Sequence, residues 1–212
     1  MKKIQKLIFN RYILLTLLLL LFIFISALSY ATTVSYDIQN SVFRLHVIAN
    51  SDEEYDQNLK YIVRDEILKY VNSISSNAVS KEDVIELVKT NSNEIKKIAE
   101  ETIVANGYDY SVNVNIGNFE FPTKTYGDLS LPAGLYDALR VEIGKAEGAN
   151  WWCVMFPPLC FVDVSSGVVP TESKEVIKNN LANDEEYDLL VASNAEVKFK
   201  FKLVEMFQSF GI

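Results

Sequence analysis

The N-terminal end of the chain is a basic segment followed by a long apolar run. Residues 13–28, ILLTLLLLLFIFISAL, contain no charged residue, and residues 1–12 contain no acidic one. Four cations precede the run, at Lys2, Lys3, Lys6 and Arg11. A basic end followed by a helix that partitions into lipid is typical of a secretory signal or a membrane anchor. The rest of the chain is therefore expected to lie outside the cytoplasm.

The length of the apolar run leaves cleavage open. A membrane span takes about 20 apolar residues, so a run over 13–28 lies at the border between a cleaved signal and a retained anchor. Ser29-Tyr30-Ala31 offers the small-x-small pattern of a signal peptidase site, with cleavage after Ala31. Either outcome divides the chain into a signal peptide or anchor over 1–31 and an exported domain over 32–212.

The net charge of the exported part limits the classes of molecule that are expected to bind it. The formal net charge is −8, and removing residues 1–31 takes away four cations and no acid, which leaves −12. Nucleic acid and anionic lipid both require a basic surface, so neither is expected as a partner. We expect the membrane to contact the chain only through the N-terminal segment.

The exported part is predicted to be a single mixed α/β or α+β domain, with short strands and two long N-terminal helices after the hydrophobic signal or anchor helix. Residues 42–49, VFRLHVIA, predict a well-buried strand. A capping box of Ser51 and Glu54 predicts a helix that continues to residue 73 or 74. A second box, of Ser80 and Asp83, predicts another helix that ends at Gly107.

The second half of the domain is predicted to contain paired strands. Residues 110–116 alternate strictly, and 119–126 are predicted to pair with them across Gly117-Asn118, with Pro122 marking an edge strand. Residues 137–143 and 151–156 predict a second pair, joined by the loop 144–148. Acidic helices are expected near 172–181 and 184–192. The tail over 195–209 fits a strand or a helix, and we favour a helix.

Few residues of this chain suit catalysis. His46 is the one histidine, and it lies in the first predicted strand just before Asn50 and Asp52. A structural or interface role for His46 is favoured over a catalytic one. One His and two Cys cannot form a four-ligand zinc site of those residues, and no nucleophile elbow, phosphate-binding loop or HExxH motif occurs. We expect no cofactor.

The run WWCVMFPPLCF holds both cysteines and both tryptophans. Outside the cytoplasm Cys153 and Cys160 are expected to form a disulfide. The alternatives are two buried thiols, a nucleophilic pair of one Cys with His46, and a metal site of His46, one Cys and Asp52. Successive strand residues face opposite ways, so one of Trp151 and Trp152 is expected to face outward. With the neighbouring Phe156, Pro157 and Pro158 it would form a contact for a protein partner, unless a helix covers it.

Two stretches of the chain resemble the stage II sporulation protein R family: FRLHVIANSDEEYDQNLKYIVRDEIL (43–68) and LPAGLYDALRVEIGKAEGANWWCVMFPPLCFVD (131–163). The residues of the first block that match the family motif are His46, Asn50, Ser51, Asp52, Arg64 and Asp65. Those of the second are Leu131, Pro132, Ala133, Gly134, Tyr136, Asp137, Arg140, Asn150, Trp151, Trp152, Cys153, Phe156, Pro157, Pro158, Cys160 and Asp163.

The resemblance implies a signalling protein that is made in the forespore and exported into the space between the septal membranes. There it would activate a membrane-embedded aspartic protease of the mother cell, which processes pro-sigma-E. It implies no catalytic residues in this chain. The alternative hypothesis is an extracytoplasmic hydrolase that uses His46 with a Cys or a carboxylate.

Overall fold

The computed structural model describes residues 2–160, 169, 171–181 and 184–191. Within these residues, helices and strands combine in one mixed domain behind a long N-terminal helix, as predicted. The helices are α1 (Lys2–Ser41), α2 (Glu54–Ile74), α3 (Lys81–Thr90), α4 (Ser92–Ala105), α5 (Thr171–Asn180) and α6 (Asp184–Val191). The strands are β1 (Phe43–Ile48), β2 (Val112–Phe121), β3 (Lys124–Tyr126), β4 (Leu129–Leu131), β5 (Gly134–Ile143) and β6 (Asn150–Phe156).

Helix α1 runs without interruption from the basic N-terminus into the domain. Its apolar portion is long enough to cross a membrane, with a mean hydropathy of 2.6 over the candidate span. No glycine or proline lies in residues 2–41 to break it. The helix passes through residue 31, and Val34 and Ile38 in its last two turns are buried in the domain. The predicted cleavage position therefore lies inside a continuous helix.

Strand β1 is the centre of a four-stranded sheet of order β2-β5-β1-β6. All six of its residues are buried, as its apolar sequence predicts. It pairs in parallel with β5 and antiparallel with β6. The prediction that 137–143 pairs with 151–156 is therefore wrong, because β1 inserts between them. A strand buried on both faces is better satisfied in the middle of a sheet than at its edge.

Strand β2 is continuous through the Gly117-Asn118 dipeptide, so the predicted hairpin there is wrong. All ten of its residues pair with β5, from Val112 opposite Ile143 to Phe121 opposite Gly134. Gly117 has no positive φ that would require a turn. The chain turns instead at Gly127, whose φ is 57°, between β3 and β4. Pro122 follows β2 directly, where its missing N–H costs no ladder bond.

The helices of the domain differ from the prediction in two details. The Ser51–Glu54 capping box does not form: α2 begins after Glu53, without a side-chain cap. The helix predicted after Ser80 has its capping box but divides into α3 and α4 at Asn91. There Asn91 Nδ2 donates to the Leu87 carbonyl (2.8 Å), while Tyr70 Oη donates to Asn91 Oδ1 (3.1 Å). Gly107 ends α4 with a φ of 85°, as predicted.

Two hydrophobic clusters lie on opposite faces of the sheet. Helices α2, α3 and α4 pack on the first face, over residues such as Leu45, Val47 and Leu139. The second face is covered by the end of α1, the β3–β4 hairpin, α5 and α6. Helices α5 and α6 correspond to the two acidic segments predicted as helices. The helix predicted over 195–209 and the motif residue Asp163 lie outside the described residues.

Candidate functional site

The residues that follow β1 join two loops at one end of the sheet. The Oδ1 atom of Asn50 accepts from the Lys145 backbone N–H (3.0 Å), and Asp52 Oδ1 accepts from that of Ala149 (2.6 Å). Two backbone bonds run alongside, from Glu147 N–H to the Asn50 carbonyl (3.3 Å) and from Gly148 N–H to the Ala49 carbonyl (3.0 Å). We call this contact between residues 49–52 and 144–149 the loop clamp.

A buried carboxylate and a buried lysine support the loop clamp. Asp56 Oδ2 accepts from Asn50 Nδ2 (2.8 Å) and from Ser51 Oγ (2.7 Å). Burial opposes the charged form, but hydrogen bonds from Ser51, Asn50 and Tyr110 outweigh it and hold the pKa of Asp56 below its usual value. Lys60 donates to the Ala149 carbonyl (2.9 Å), and its pKa is lowered by burial and then by Arg64. Asn50 and Asp52 thus hold the fold together.

Two glycines let the loops of the clamp approach each other. A Cβ on Gly148 would lie 2.2 Å from the Ser51 carbonyl oxygen, and a Cβ on Gly144 would lie 2.2 Å from Asn50 Oδ1. Gly144 also has a positive φ of 59°. No other residue fits either position without displacing the loop it faces.

His46 lies on the second face of the sheet and is only 5% exposed. Its Nε2 lies 2.6 Å from Asn150 Oδ1, and its ring stacks on Trp152 with centroids 3.8 Å apart. Burial above all lowers its pKa to about 4, and the positive charges of Arg140 and Arg44 contribute. Neutral His46 at neutral pH is therefore an element of the sheet's packing. Its hydrogen bond goes to an amide and not to the carboxylate that would orient a catalytic base.

The cysteines are joined by a disulfide, with Cα atoms 5.2 Å apart. Cys153 is buried in the first cluster, on the face of the sheet opposite His46. The structure therefore does not fit a nucleophilic pair of His46 with either cysteine. It also does not fit a metal site that uses His46 together with a cysteine. Among the described residues no three His, Cys, Asp or Glu side chains are grouped so that they could hold a metal ion.

The two tryptophans face opposite sides of β6, and each is half-buried. Trp152 packs between His46 and Phe121 on the second face. Trp151 lies on the helix side, where the Tyr61 ring meets it edge-on at 5.3 Å and the Arg64 guanidinium lies 4.3 Å from its ring. The indole N–H of Trp151 has no acceptor within the described part of the chain. We call Tyr61, Arg64 and Trp151 the Trp151 patch.

The proline-containing end of the same segment belongs mainly to the core. Phe156 and Pro157 are buried, while Pro158 is exposed. Phe156 packs in the first cluster with Cys153.

The motif residues Asp137 and Arg140 each form an ion pair with another residue. Asp137 binds Lys81, with Nζ 2.7 Å from Oδ2, and it accepts from Asn118 Nδ2 at 2.7 Å. Arg140 binds Glu142 at 2.7 Å. The first pair fixes α3 to the sheet, and the second runs along β5.

Sequence reasoning missed the role of Arg44, a fully buried charged residue in β1. Its guanidinium lies 4.0 Å from the Phe121 ring centroid and 4.6 Å from that of Tyr136, and Nη2 donates to Tyr126 Oη (2.8 Å). The available signal is an arginine within the well-buried strand FRLHVI. The aromatic residues that receive it lie more than seventy positions away in the sequence.

Most of these residues lie in the part of the chain that matches a known protein family. The model described as stage II sporulation protein R matches residues 39–166. A curated protein of that name from Bacillus subtilis (strain 168) is 41% identical over 143 residues, which are 66% of this chain and 64% of the relative. The match thus spans less than two thirds of the relative's length. No solved structure matches the chain significantly.

Proposed function

The chain belongs to the stage II sporulation protein R family, and on that basis we propose that it is an exported signal that activates a membrane-embedded aspartic protease of the mother cell. Membership itself assigns the chain a role in sporulation. In the proposal, the forespore makes the protein and the domain acts in the space between the septal membranes. The activated protease then removes the inhibitory segment of pro-sigma-E.

The Trp151 patch is the observation that favours a binding role for the domain. Trp, Tyr and Arg are the residues that most often dominate the energy of a protein interface. Here the three side chains lie together on α2 and β6, and the neighbouring Ile62 is 42% exposed. A partner that covers the exposed part of the Trp151 ring and the exposed Ile62 would gain binding energy from the apolar surface removed from water.

Activation requires more than tight binding. A ligand shifts an equilibrium between inactive and active protease only by the difference between its affinities for the two states. Conversion from about 1% to about 99% active takes roughly a 10⁴-fold preference, or about 5.5 kcal/mol. Truncation of one dominant interface residue costs at least about 2 kcal/mol, which would lower the ratio of active to inactive protease from about 99:1 to about 3:1, and truncation of two would lower it to about 1:9.

The test is reconstitution in a host that does not sporulate. The full chain, the protease and pro-sigma-E are produced together, and the shortened sigma factor is measured on a blot. We expect processing with the wild-type chain and none when the protease carries a substituted catalytic aspartate. Absence of processing with all three intact proteins present would overturn the proposal.

Variants separate binding from catalysis within this chain. Trp151→Ala and Arg64→Ala should each lower the affinity of the chain for the active protease by about 30-fold or more, the equivalent of about 2 kcal/mol, and so reduce processing when the chain is produced in limiting amount. Val104→Ala, at an exposed position at the end of α4, is the matched control. If folded His46→Ala failed to support processing while the Trp151 patch variants supported it, the hydrolase hypothesis would replace this one.

A further inference from the structure

We propose that the chain keeps α1 as a single-span membrane anchor, and that this helix seats the domain directly on the outer surface of the bilayer. The proposal concerns residues 9–41 and does not depend on which protein the domain activates. It follows from the exposure, the spacing and the continuity of α1.

The apolar portion of α1, from Ile13 to Ile25, presents apolar side chains on all sides of the helix. Each large apolar residue from Ile13 to Ile25 is between 42% and 68% exposed. A helix that packed on the domain would bury one face and expose the other. The Thr16 hydroxyl donates to the carbonyls of Tyr12 (3.0 Å) and Ile13 (2.8 Å), so this polar group is satisfied within the helix. Such a surface is suited to lipid.

Two exposed tyrosines bracket this apolar surface. Tyr12 and Tyr30 are 65% and 48% exposed, and 18 residues of helix place them about 27 Å apart along the axis. The hydrocarbon core of a bilayer is about 30 Å thick, and tyrosines are enriched at both of its interfaces. The basic residues before Tyr12 would then lie on the cytoplasmic side.

The folded domain begins about one helical turn beyond Tyr30, which marks the proposed outer surface of the membrane. Only three residues lie between Tyr30 and the buried Val34, a rise of about 6 Å along the helix axis. Ile38 is fully buried in the second cluster, and Gln39 packs against β5 so closely that a Cβ on Gly134 would lie 2.3 Å from its Nε2. No linker therefore lies between the span and the fold.

The candidate cleavage site is part of this continuous helix. The Ser29 carbonyl accepts from the hydroxyls of Thr32 (2.9 Å) and Thr33 (3.0 Å), so the turn on both sides of Ala31 is closed. A peptidase binds its substrate in an extended form. Cleavage after Ala31 would require this turn to open, and it would leave Thr32 as the new terminus within one turn of the core.

The first experiment measures the intact mass of the full chain from host membranes after an alkaline wash. We expect a chain that retains residues 2–31 and stays in the membrane pellet. Ala31→Arg, which removes the small residue a signal peptidase needs, is the matched variant. If the wild-type chain and the A31R chain both retain residues 2–31, the result supports the anchor. A wild-type chain that begins at Thr32, beside an A31R chain that is not cut, overturns it.

The second experiment locates the span by cysteine labelling with a membrane-impermeant maleimide in right-side-out vesicles. Leu19→Cys should react only after detergent is added, whereas Asn40→Cys, on the exposed side of the last turn, should react at once. Labelling of L19C in intact vesicles would overturn the proposal. Neither readout involves the protease, so failure of the anchor and failure of the proposed activation remain distinguishable.

Discussion

Gly148→Ala should destabilise the domain strongly, because it inserts a methyl group into the loop clamp. The new Cβ would lie 2.2 Å from the Ser51 carbonyl oxygen and 3.0 Å from Ala49 Cβ, and the first of these is backbone that cannot rotate away. Overpacking of this kind costs about 1–3 kcal/mol. The shift also weakens the Gly148–Ala49 and Ala149–Asp52 bonds, worth about 1 kcal/mol each.

The total of about 2–4 kcal/mol corresponds to a fall in Tm of roughly 5–12 °C for a chain of this size. The measurement is thermal unfolding of the full chain in detergent micelles, followed by near-ultraviolet circular dichroism. Gly117→Ala is the matched control: its nearest neighbour would be a Phe119 ring carbon at 4.0 Å, so it should be neutral or slightly stabilising. A Gly148→Ala chain that melts together with the wild type would refute the loop clamp as a source of stability.

Three further predictions concern groups in the core. The pKa of His46 is about 4 when folded and 6.5 when unfolded, so stability should fall as pH drops from 6.5 to 4. The loss in free energy of unfolding is at most about 3 kcal/mol, and screening by water reduces it to about 1–2 kcal/mol. The urea midpoint of the His46→Phe variant should change less over that pH range than the midpoint of the wild-type chain. Asp56→Asn should cost about 2 kcal/mol in urea unfolding at pH 7, and the exposed Asp109→Asn should cost nothing measurable. Cys153→Ala should lose about 2–3 kcal/mol, and reduction of the wild-type chain should add two hydrogens to its mass; an unchanged mass would refute the disulfide.

The parts of the fold that could be predicted were those with a local signal. Strand β1 was recognisable because a buried strand needs apolar residues on both faces, and the end of α4 because Gly107 adopts a left-handed conformation. The order of the sheet had no such signal. Strands β1 and β5 pair in parallel because both are buried in the sheet. An apolar sequence predicts this burial, but it does not predict which distant strand is the neighbour or how the two are aligned. The Gly117-Asn118 dipeptide was misread because glycine permits a turn without requiring one.

The candidate site was predictable in its residues but not in their roles. Asn50 and Asp52 bind backbone N–H groups of the loop 144–149. Because almost every residue has a backbone N–H, the amino-acid sequence does not show which one is the donor. The opposite orientation of Trp151 and Trp152 did follow from strand alternation. Their half-buried state did not, because the covering side chains, Tyr61 and His46, come from other elements.

The inner position of β1 in the sheet sets the order in which the chain can fold during the proposed export. Arg44 pairs with Ala138 on one side and with Val154 on the other, so both neighbours of β1 lie about a hundred residues further along the chain. In a chain that α1 holds in the membrane and that crosses from residue 42 onward, β1 reaches the outer side long before either partner strand. Pairings of such large sequence separation form slowly, because the intervening loop must close first. In the proposed export, residues 43–130 therefore cannot complete the sheet until β5 and β6 have also reached the outer side of the membrane.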